Sequence, residues 1–123
     1  MLLIAEMVGR LKRDPRLTSR LADGVKGIHH QASPHGCRHP HIVYSIISDV
    51  PVLFGDDVEL HSRLTVRLHI VTKDGAYDMI YCDVQRIMQH LGFMRVQTTE
   101  FYEDSLKILV IDYRIGVDAY GST

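Results

Sequence analysis

The chain has 123 residues, 14 basic and 15 acidic side chains, and a formal net charge of −1. This length suits one domain with a hydrophobic core and is short for two, so we expect a single domain over residues 1–123. The near-neutral charge gives no electrostatic basis for a dedicated nucleic-acid or membrane-surface binder. Any contact with DNA is therefore expected to be non-specific, and no membrane contact is expected.

Two features of the sequence bear on the cellular compartment. The N-terminal residues do not resemble a secretory leader, and there are only two cysteines, Cys37 and Cys82, so a reducing cytosol is favoured over a disulfide framework. No apolar run reaches the roughly 18 residues that span a bilayer, which predicts a soluble protein. Cys82 is expected to be a small packed residue beside the apolar stripe of a helix.

Three segments have helical patterns. Residues 2–13 are predicted to form an amphipathic helix, because apolar residues recur at helical spacing: Ile4, Met7, Val8 and Leu11. Asp14 and Pro15 form a good N-cap and first-turn pair, which predicts a short second helical segment that ends at Gly24. The segment from Tyr77 to Leu91 keeps a helical period until Gly92 supplies a stop.

The remaining apolar segments predict strands near residues 26–30 and over 41–49, 60–72, 93–101 and 107–117. Residues 42–47 are apolar on both faces, so both faces are expected to be covered. This order predicts an α+β fold, with a mainly antiparallel sheet of about four to five strands and two helices packed on one face.

The stretch from His29 to His41 contains five histidines and Cys37, which makes zinc the first hypothesis. On an extended chain, however, alternate residues lie about 6.6 Å apart, so the stretch alone cannot enclose one ion. A zinc finger also needs a second ligand pair, which the sequence lacks. One alternative remains open: His39, His41 and His69 would converge if the strands paired with His41 opposite His69. A polar connecting loop is the favoured interpretation.

The sequence carries no convincing catalytic motif. There is no G-x-S-x-G, no H-E-x-x-H and no glycine-rich phosphate loop, so we expect no enzyme activity, no catalytic residues and no cofactor. The pairs Asp56-Asp57 and Glu103-Asp104 are interpreted as solvated turns. Arg63 and Arg67 could form a basic strip, but a solvated or salt-bridged strand face is favoured.

Residues 50–59 are predicted to form a loop, because they contain Pro51 and a Gly-Asp-Asp turn signal. Three apolar residues would be costly to leave in water there: Val52, Leu53 and Phe54. They are therefore the candidate partner interface.

The order of these segments resembles the tail-completion proteins of long-tailed bacteriophages and prophages, also called tail terminator or tail-to-head joining proteins. The resemblance covers nearly the whole chain and rests on segments in this order: "LKRDPRLTSRL", "HPHIVYSIIS", "RLTVRLHIVTKD", "AYDMIYCDVQRIMQHLGF" and "FYEDSLKILVIDYRIGV". It implies a structural subunit that forms a ring, as a hexamer, on the head-proximal end of the tail tube. The histidine stretch is no part of this pattern.

The implied function is to end tube growth and to join tail to head, so the implied partners are other copies of the chain, the tail tube protein and the head-connector or stopper protein. The subunit could still be monomeric in isolation. The implied location is the virion tail at the head–tail junction, after synthesis in the host bacterial cytoplasm. Two alternatives stay open: a small metal-binding module or metal-dependent enzyme that uses the His29–His41 stretch, and an oligomerising domain unrelated to phages.

Overall fold

The computed structural model describes the backbone of residues 2–55 and 58–118 and the side chains of residues 3–51 and 62–116. It has an α+β fold, as predicted. In chain order the elements are α1 (Leu2–Arg13), α2 (Pro15–Thr18), a 3₁₀ turn (Gly24–Gly27), β1 (Ile28–His30), β2 (His41–Gly55), β3 (Val58–Thr72), α3 (Asp78–His90), β4 (Met94–Glu103) and β5 (Leu106–Asp118).

The five strands form one sheet in the order β1-β2-β3-β5-β4. All pairs are antiparallel except β1 with β2, which is parallel. The alternation that predicted β3 is confirmed, because one face of that strand is buried against the helices: Leu64, Val66, Leu68 and Ile70. We call the face covered by helices the core face and the opposite one the open face.

The helices complete the hydrophobic core on the core face of the sheet. Helices α1 and α3 contribute buried apolar side chains at helical spacing, and α2 contributes one. They are Leu3, Met7 and Leu11 from α1, Leu17 from α2, and Ile80, Val84, Ile87 and Met88 from α3. From the sheet, Ile111 and Tyr113 of β5 lie in the same cluster. None of the described helices is both long and apolar enough to cross a membrane.

The Asp14-Pro15 start signal is confirmed, since the Leu17 amide donates to the Asp14 carboxylate at 3.1 Å. The predicted end of that segment is wrong. Helix α2 ends at Thr18, and Gly24, with a φ of +58°, begins a 3₁₀ turn instead. The chain can turn at Gly24 because glycine has no Cβ to oppose a positive φ.

The prediction of a loop over residues 50–59 is also wrong. Strand β2 continues to Gly55 and β3 begins at Val58, so the two strands form a long hairpin. Pro51 is tolerated because it lies on a part of β2 whose outer edge β1 does not cover, and shifts in register around it absorb the irregularity. The side chains of Val52, Leu53 and Phe54, and residues 56 and 57, lie outside the described part of the chain.

The expectation that both faces of residues 42–47 are covered holds only at the start of β2. Ile42 and Val43 are buried, whereas Ile46 and Ile47 are 39% and 42% exposed. Strand β1 pairs only with Ile42–Tyr44. The part of β2 that follows is therefore an edge of the sheet.

Candidate functional site

The histidine stretch folds into a compact cluster around His41, which is fully buried. The Nδ1 atoms of His39 and His41 are 3.1 Å apart, and the Cys37 Sγ lies 3.7 Å from the His41 Nε2. The rings of His29 and His41 meet edge to face at 5.6 Å between centroids. The structure thus brings together residues that an extended strand would have kept apart.

Both ring nitrogens of His41 already have hydrogen-bond partners. The Nε2 lies 2.7 Å from the Ser33 hydroxyl, and the Nδ1 lies 3.1 Å from the Arg38 carbonyl oxygen. A neutral ring satisfies both contacts, with the Nδ1–H donating to the carbonyl and the Nε2 accepting from the hydroxyl. Such a ring has no free lone pair for a metal ion.

The alternative site of His39, His41 and His69 is not assembled. Strands β2 and β3 do pair antiparallel, but His41 lies opposite Val71, and His69 lies opposite Val43. Across residues 3–51 and 62–116, no group of three or more His, Cys, Asp or Glu side chains is arranged to hold a metal ion. The observed register of β2 and β3 therefore differs by two residues from the one that this site requires.

The loop that carries these histidines is tied to the segment before β1. Arg38 donates to the Asp23 carboxylate at 2.7 Å and to the Ala22 carbonyl at 2.8 Å, and the Ala22 amide donates to the Pro40 carbonyl at 3.0 Å. These contacts close the loop over one corner of the open face, where Val43 is buried. They support the interpretation of a polar connecting loop.

The satisfied His41 ring predicts that the fold does not depend on zinc. Purified untagged protein should have the same thermal unfolding midpoint with and without a strong chelator, and should carry much less than one zinc per chain. Structural zinc contributes folding free energy directly, so a large loss of stability on chelation would contradict this prediction.

The buried histidines predict a pH-dependent stability. Burial lowers the pKa of His41 and of His69 below the ordinary value of 6.5. Below pH 6.5 the unfolded chain therefore binds protons that the folded chain resists, so the free energy of unfolding should fall as the pH drops from 7.5 to 5. His69→Gln should make this slope shallower, whereas the exposed control His35→Gln should leave it unchanged. If His69→Gln and His35→Gln both keep the slope of the wild type, the pH dependence comes from other groups.

The open face carries a polar network at its centre. Arg67 donates to both carboxylate oxygens of Asp112, at 2.7 and 3.0 Å, and Gln97 donates to the same carboxylate at 2.9 Å. The hydrogen bonds from Arg67, followed by that from Gln97, hold the pKa of Asp112 below its usual value although burial opposes them. Arg67 thus forms a salt bridge and is not part of a basic strip, which agrees with the interpretation favoured from the sequence. Arg63 is exposed.

The remaining candidates have different outcomes. Asp104 lies in the turn with a φ of +50°, which confirms the turn interpretation for that residue, whereas Glu103 is the last residue of β4. Cys82 is exposed on α3, so the prediction of a packed residue is wrong. The candidate interface of Val52, Leu53 and Phe54 stays a prediction, because its side chains lie outside the described residues.

Sequence reasoning missed the edge strand β4. Met94 and Tyr102 of the edge strand β4 are 73% and 72% exposed, and Val50 of β2 is exposed as well. The apolar residues of β4 follow a strand pattern, but only the strand order shows that this strand ends the sheet. No signal in the sequence gives that order.

The fold is similar to that of a chain in a solved structure. A chain of the structure described as "Virion of native gene transfer agent (GTA) particle" matches with a TM-score of 0.60 and 7% sequence identity, over 92% of this chain and 92% of that chain. At this identity the likeness concerns the fold alone. No protein-family model matches the chain, and no curated protein matches it in sequence.

Proposed function

We propose that the protein is a tail-completion subunit of a phage, prophage or phage-like particle. It forms a hexameric ring on the head-proximal end of the tail tube, ends tube growth and joins the tail to the head connector. The supporting observation is the shared fold with a virion component over 92% of both chains. That fold agrees with the order of elements on which the resemblance to tail-completion proteins rests.

The geometry of the chain suits a function carried out by binding alone. A subunit that caps a tube needs affinity for the last tube ring and a far face that cannot accept another ring, so no chemical step is required. Two of the polar side chains that the sequence singled out are engaged in structural contacts: Arg67 binds Asp112, and His41 binds Ser33 and Arg38. The exposed apolar edges supply surface for partners.

A subunit of this kind can be monomeric in dilute solution and close into a ring on the tube. Each contact between neighbours can be weak by itself, because the tube end holds several subunits together and raises their effective concentration. The hairpin of β2 and β3 extends the sheet, and its apolar residues Val52, Leu53 and Phe54 are proposed to contact a partner there.

The test removes the gene from its parent phage or phage-like element and examines the lysate by electron microscopy. We expect heads without tails and free tubes of excessive or irregular length, and we expect the wild-type gene supplied in trans to restore complete particles. A gene encoding Leu53→Ser with Phe54→Ser should yield folded protein that restores few particles. Tails of normal length joined to heads after deletion would show that the chain has another function.

A further inference from the structure

Strand β4 concentrates exposed apolar surface at one edge of the sheet. Among the described side chains, four of the nine large exposed apolar ones lie on this strand: Met94, Val96, Phe101 and Tyr102. The strand has ten residues, and all of them are exposed except the half-buried Thr98. Contact with another chain would remove this apolar area from water, so β4 is a candidate docking edge.

The outer side of β4 also offers unpaired backbone groups. The strand ends the sheet, and within residues 2–55 and 58–118 its neighbour is β5 alone. It contains no proline or lysine, which often protect such an edge, and its pairing with β5 has a single bulge, at Val96. Backbone amide and carbonyl groups along β4 can therefore pair with a strand of another chain.

The sequence of β4 is complementary to itself in the reverse direction. With the bulged residue left out, Arg95 and Glu100 each lie two positions from Thr98. Met94 and Phe101 each lie three positions from the same centre. Two antiparallel copies of β4 centred on this residue would therefore pair each arginine with a glutamate and each methionine with a phenylalanine. Opposite charges and apolar pairs directly across an antiparallel ladder stabilise it.

We infer that two copies of the protein pair antiparallel through Met94–Phe101 of β4, with Thr98 at a two-fold axis. Both copies use the same surface, so every contact occurs twice and the two sheets become one continuous sheet. Neighbouring subunits of a cyclic ring face the same way, whereas this pair faces opposite ways. The contact therefore goes beyond the proposed ring and belongs to subunits that are not yet on a tail tube, where it covers an exposed edge.

Residues opposite each other in this register share a face of the sheet, as pairing requires. Within the subunit, Arg95 pairs with Tyr113, which is buried in the core cluster. Glu100 pairs with Leu109, which lies in the same cluster. The two charged residues are therefore both on the core face, and the next residue outward from each is on the open face. The bulge makes this agreement possible, because residues five positions apart on a regular strand lie on opposite faces.

A shifted register loses these pairs. Moving the axis to Thr99 would place Met94 opposite the carboxylate of Glu103. It would also leave Arg95 opposite an aromatic side chain instead of a carboxylate. Moving the axis the other way, to Gln97, would shorten the paired segment and place the arginine opposite a threonine. The register centred on Thr98 is therefore the one that the charges favour.

Arg95 and Glu100 are available for this contact. Both are exposed, and neither forms an ion pair within the described part of the chain. One carboxylate oxygen of Glu100 accepts a hydrogen bond from the Tyr77 hydroxyl, which leaves the other oxygen for a guanidinium of the second copy. Arg95 donates to the Thr98 hydroxyl at 3.1 Å. A guanidinium has several N–H donors, so Arg95 can keep this bond while it binds a carboxylate.

Charge reversal tests the register. We expect the purified full-length protein to form dimers at high concentration and low ionic strength, as measured by sedimentation equilibrium. Arg95→Glu and Glu100→Arg should each weaken the dimer about tenfold, because each variant places like charges opposite each other on both sides of the axis. A mixture of the two variants should dimerise within about threefold of the wild-type affinity, since every reversed residue then faces an opposite charge.

The mixture also controls for folding, because two unfolded variants could not restore the dimer. Glu103→Lys changes a charge on β4 beyond the paired segment and should have little effect on dimer affinity. A wild type that stays monomeric overturns the inference. A mixture that associates no better than either variant alone overturns it as well.

Cysteine variants test the two-fold symmetry. In a Cys82→Ser background, Met94→Cys and Phe101→Cys should each remain uncrosslinked alone, because identical positions lie about 20 Å apart along the paired strands. Mixed and oxidised with diamide, they should form disulfide-linked dimers. A chain that carries both substitutions should stop at a dimer, since one contact uses both of its new cysteines. A ladder of larger multimers, a crosslink from one variant alone, or no crosslink in the mixture overturns the inference.

These measurements use no tail tubes, so they are independent of the deletion experiment. Normal tails after deletion would overturn the proposed function and leave an observed dimer through β4 intact. Conversely, abnormal tails together with a chain that does not pair through β4 would keep the proposed function and overturn only the inference about unassembled subunits.

Discussion

Replacing Arg67 with glutamine should lower the free energy of unfolding at pH 7 by about 3 kcal/mol, because it leaves a buried carboxylate without its cation. The Asp112 side chain is 5% exposed, and the remaining donor to it is Gln97. A neutral amide at position 67 cannot replace two charge-assisted hydrogen bonds. Chemical denaturation of the purified protein measures the change.

Two comparisons test whether the effect comes from the ion pair. Arg63→Gln removes the same charge from an exposed position on the same strand and should change stability by less than about 0.5 kcal/mol. Asp112→Asn in the Arg67→Gln protein should recover part of the loss, since no unpaired charge remains. A double variant as unstable as the sum of the two single ones would show that the residues do not interact.

The pH dependence of this ion pair has a definite sign. The folded protein holds the pKa of Asp112 below the ordinary value of 3.8, so the pair stabilises the fold above that pH and its contribution is lost as the pH falls further. The difference in the free energy of unfolding between wild type and Arg67→Gln should therefore become smaller as the pH falls below 3.8. This loss lies at lower pH than the histidine effect, which begins at pH 6.5.

Local patterns in the sequence predicted most of the secondary structure. Helix α1 was predicted over its full range, and the buried residues Leu64, Val66, Leu68 and Ile70 follow directly from a period of two. These predictions succeeded because apolar periodicity alone determines which face of a helix or strand is buried. The local propensity of a segment is a less reliable predictor where pairing with another strand favours a different structure. Residues 50–55 contain Pro51 and turn residues, yet they form a strand because β3 pairs with them.

The sites were predicted less well than the elements, since side-chain contacts depend on register and strand order. Composition drew attention to His41, but its partners Ser33 and Arg38 are neighbours only because the loop curls back. Asp112 was not a candidate at all, although a lone acidic residue within the apolar β5 segment was a usable signal. Such a residue is buried only with a partner, and Arg67 lies opposite it.

Truncating Met7 to alanine should cost about 3 kcal/mol of stability, because this side chain of α1 is fully buried in the core. Helix α1 has twelve residues, a length at which an isolated helix is marginal in water, so its attachment depends on packing. Removing the thioether leaves a cavity, and the surrounding atoms relax into it only in part, so most of the lost contacts are not replaced. Thermal and chemical unfolding should both report the loss.

The neighbouring position supplies the control. Glu6 is exposed on the same turn of α1, and Glu6→Ala should shift stability by less than about 0.5 kcal/mol. Equal stability of the two variants would mean that α1 does not pack on the sheet through Met7.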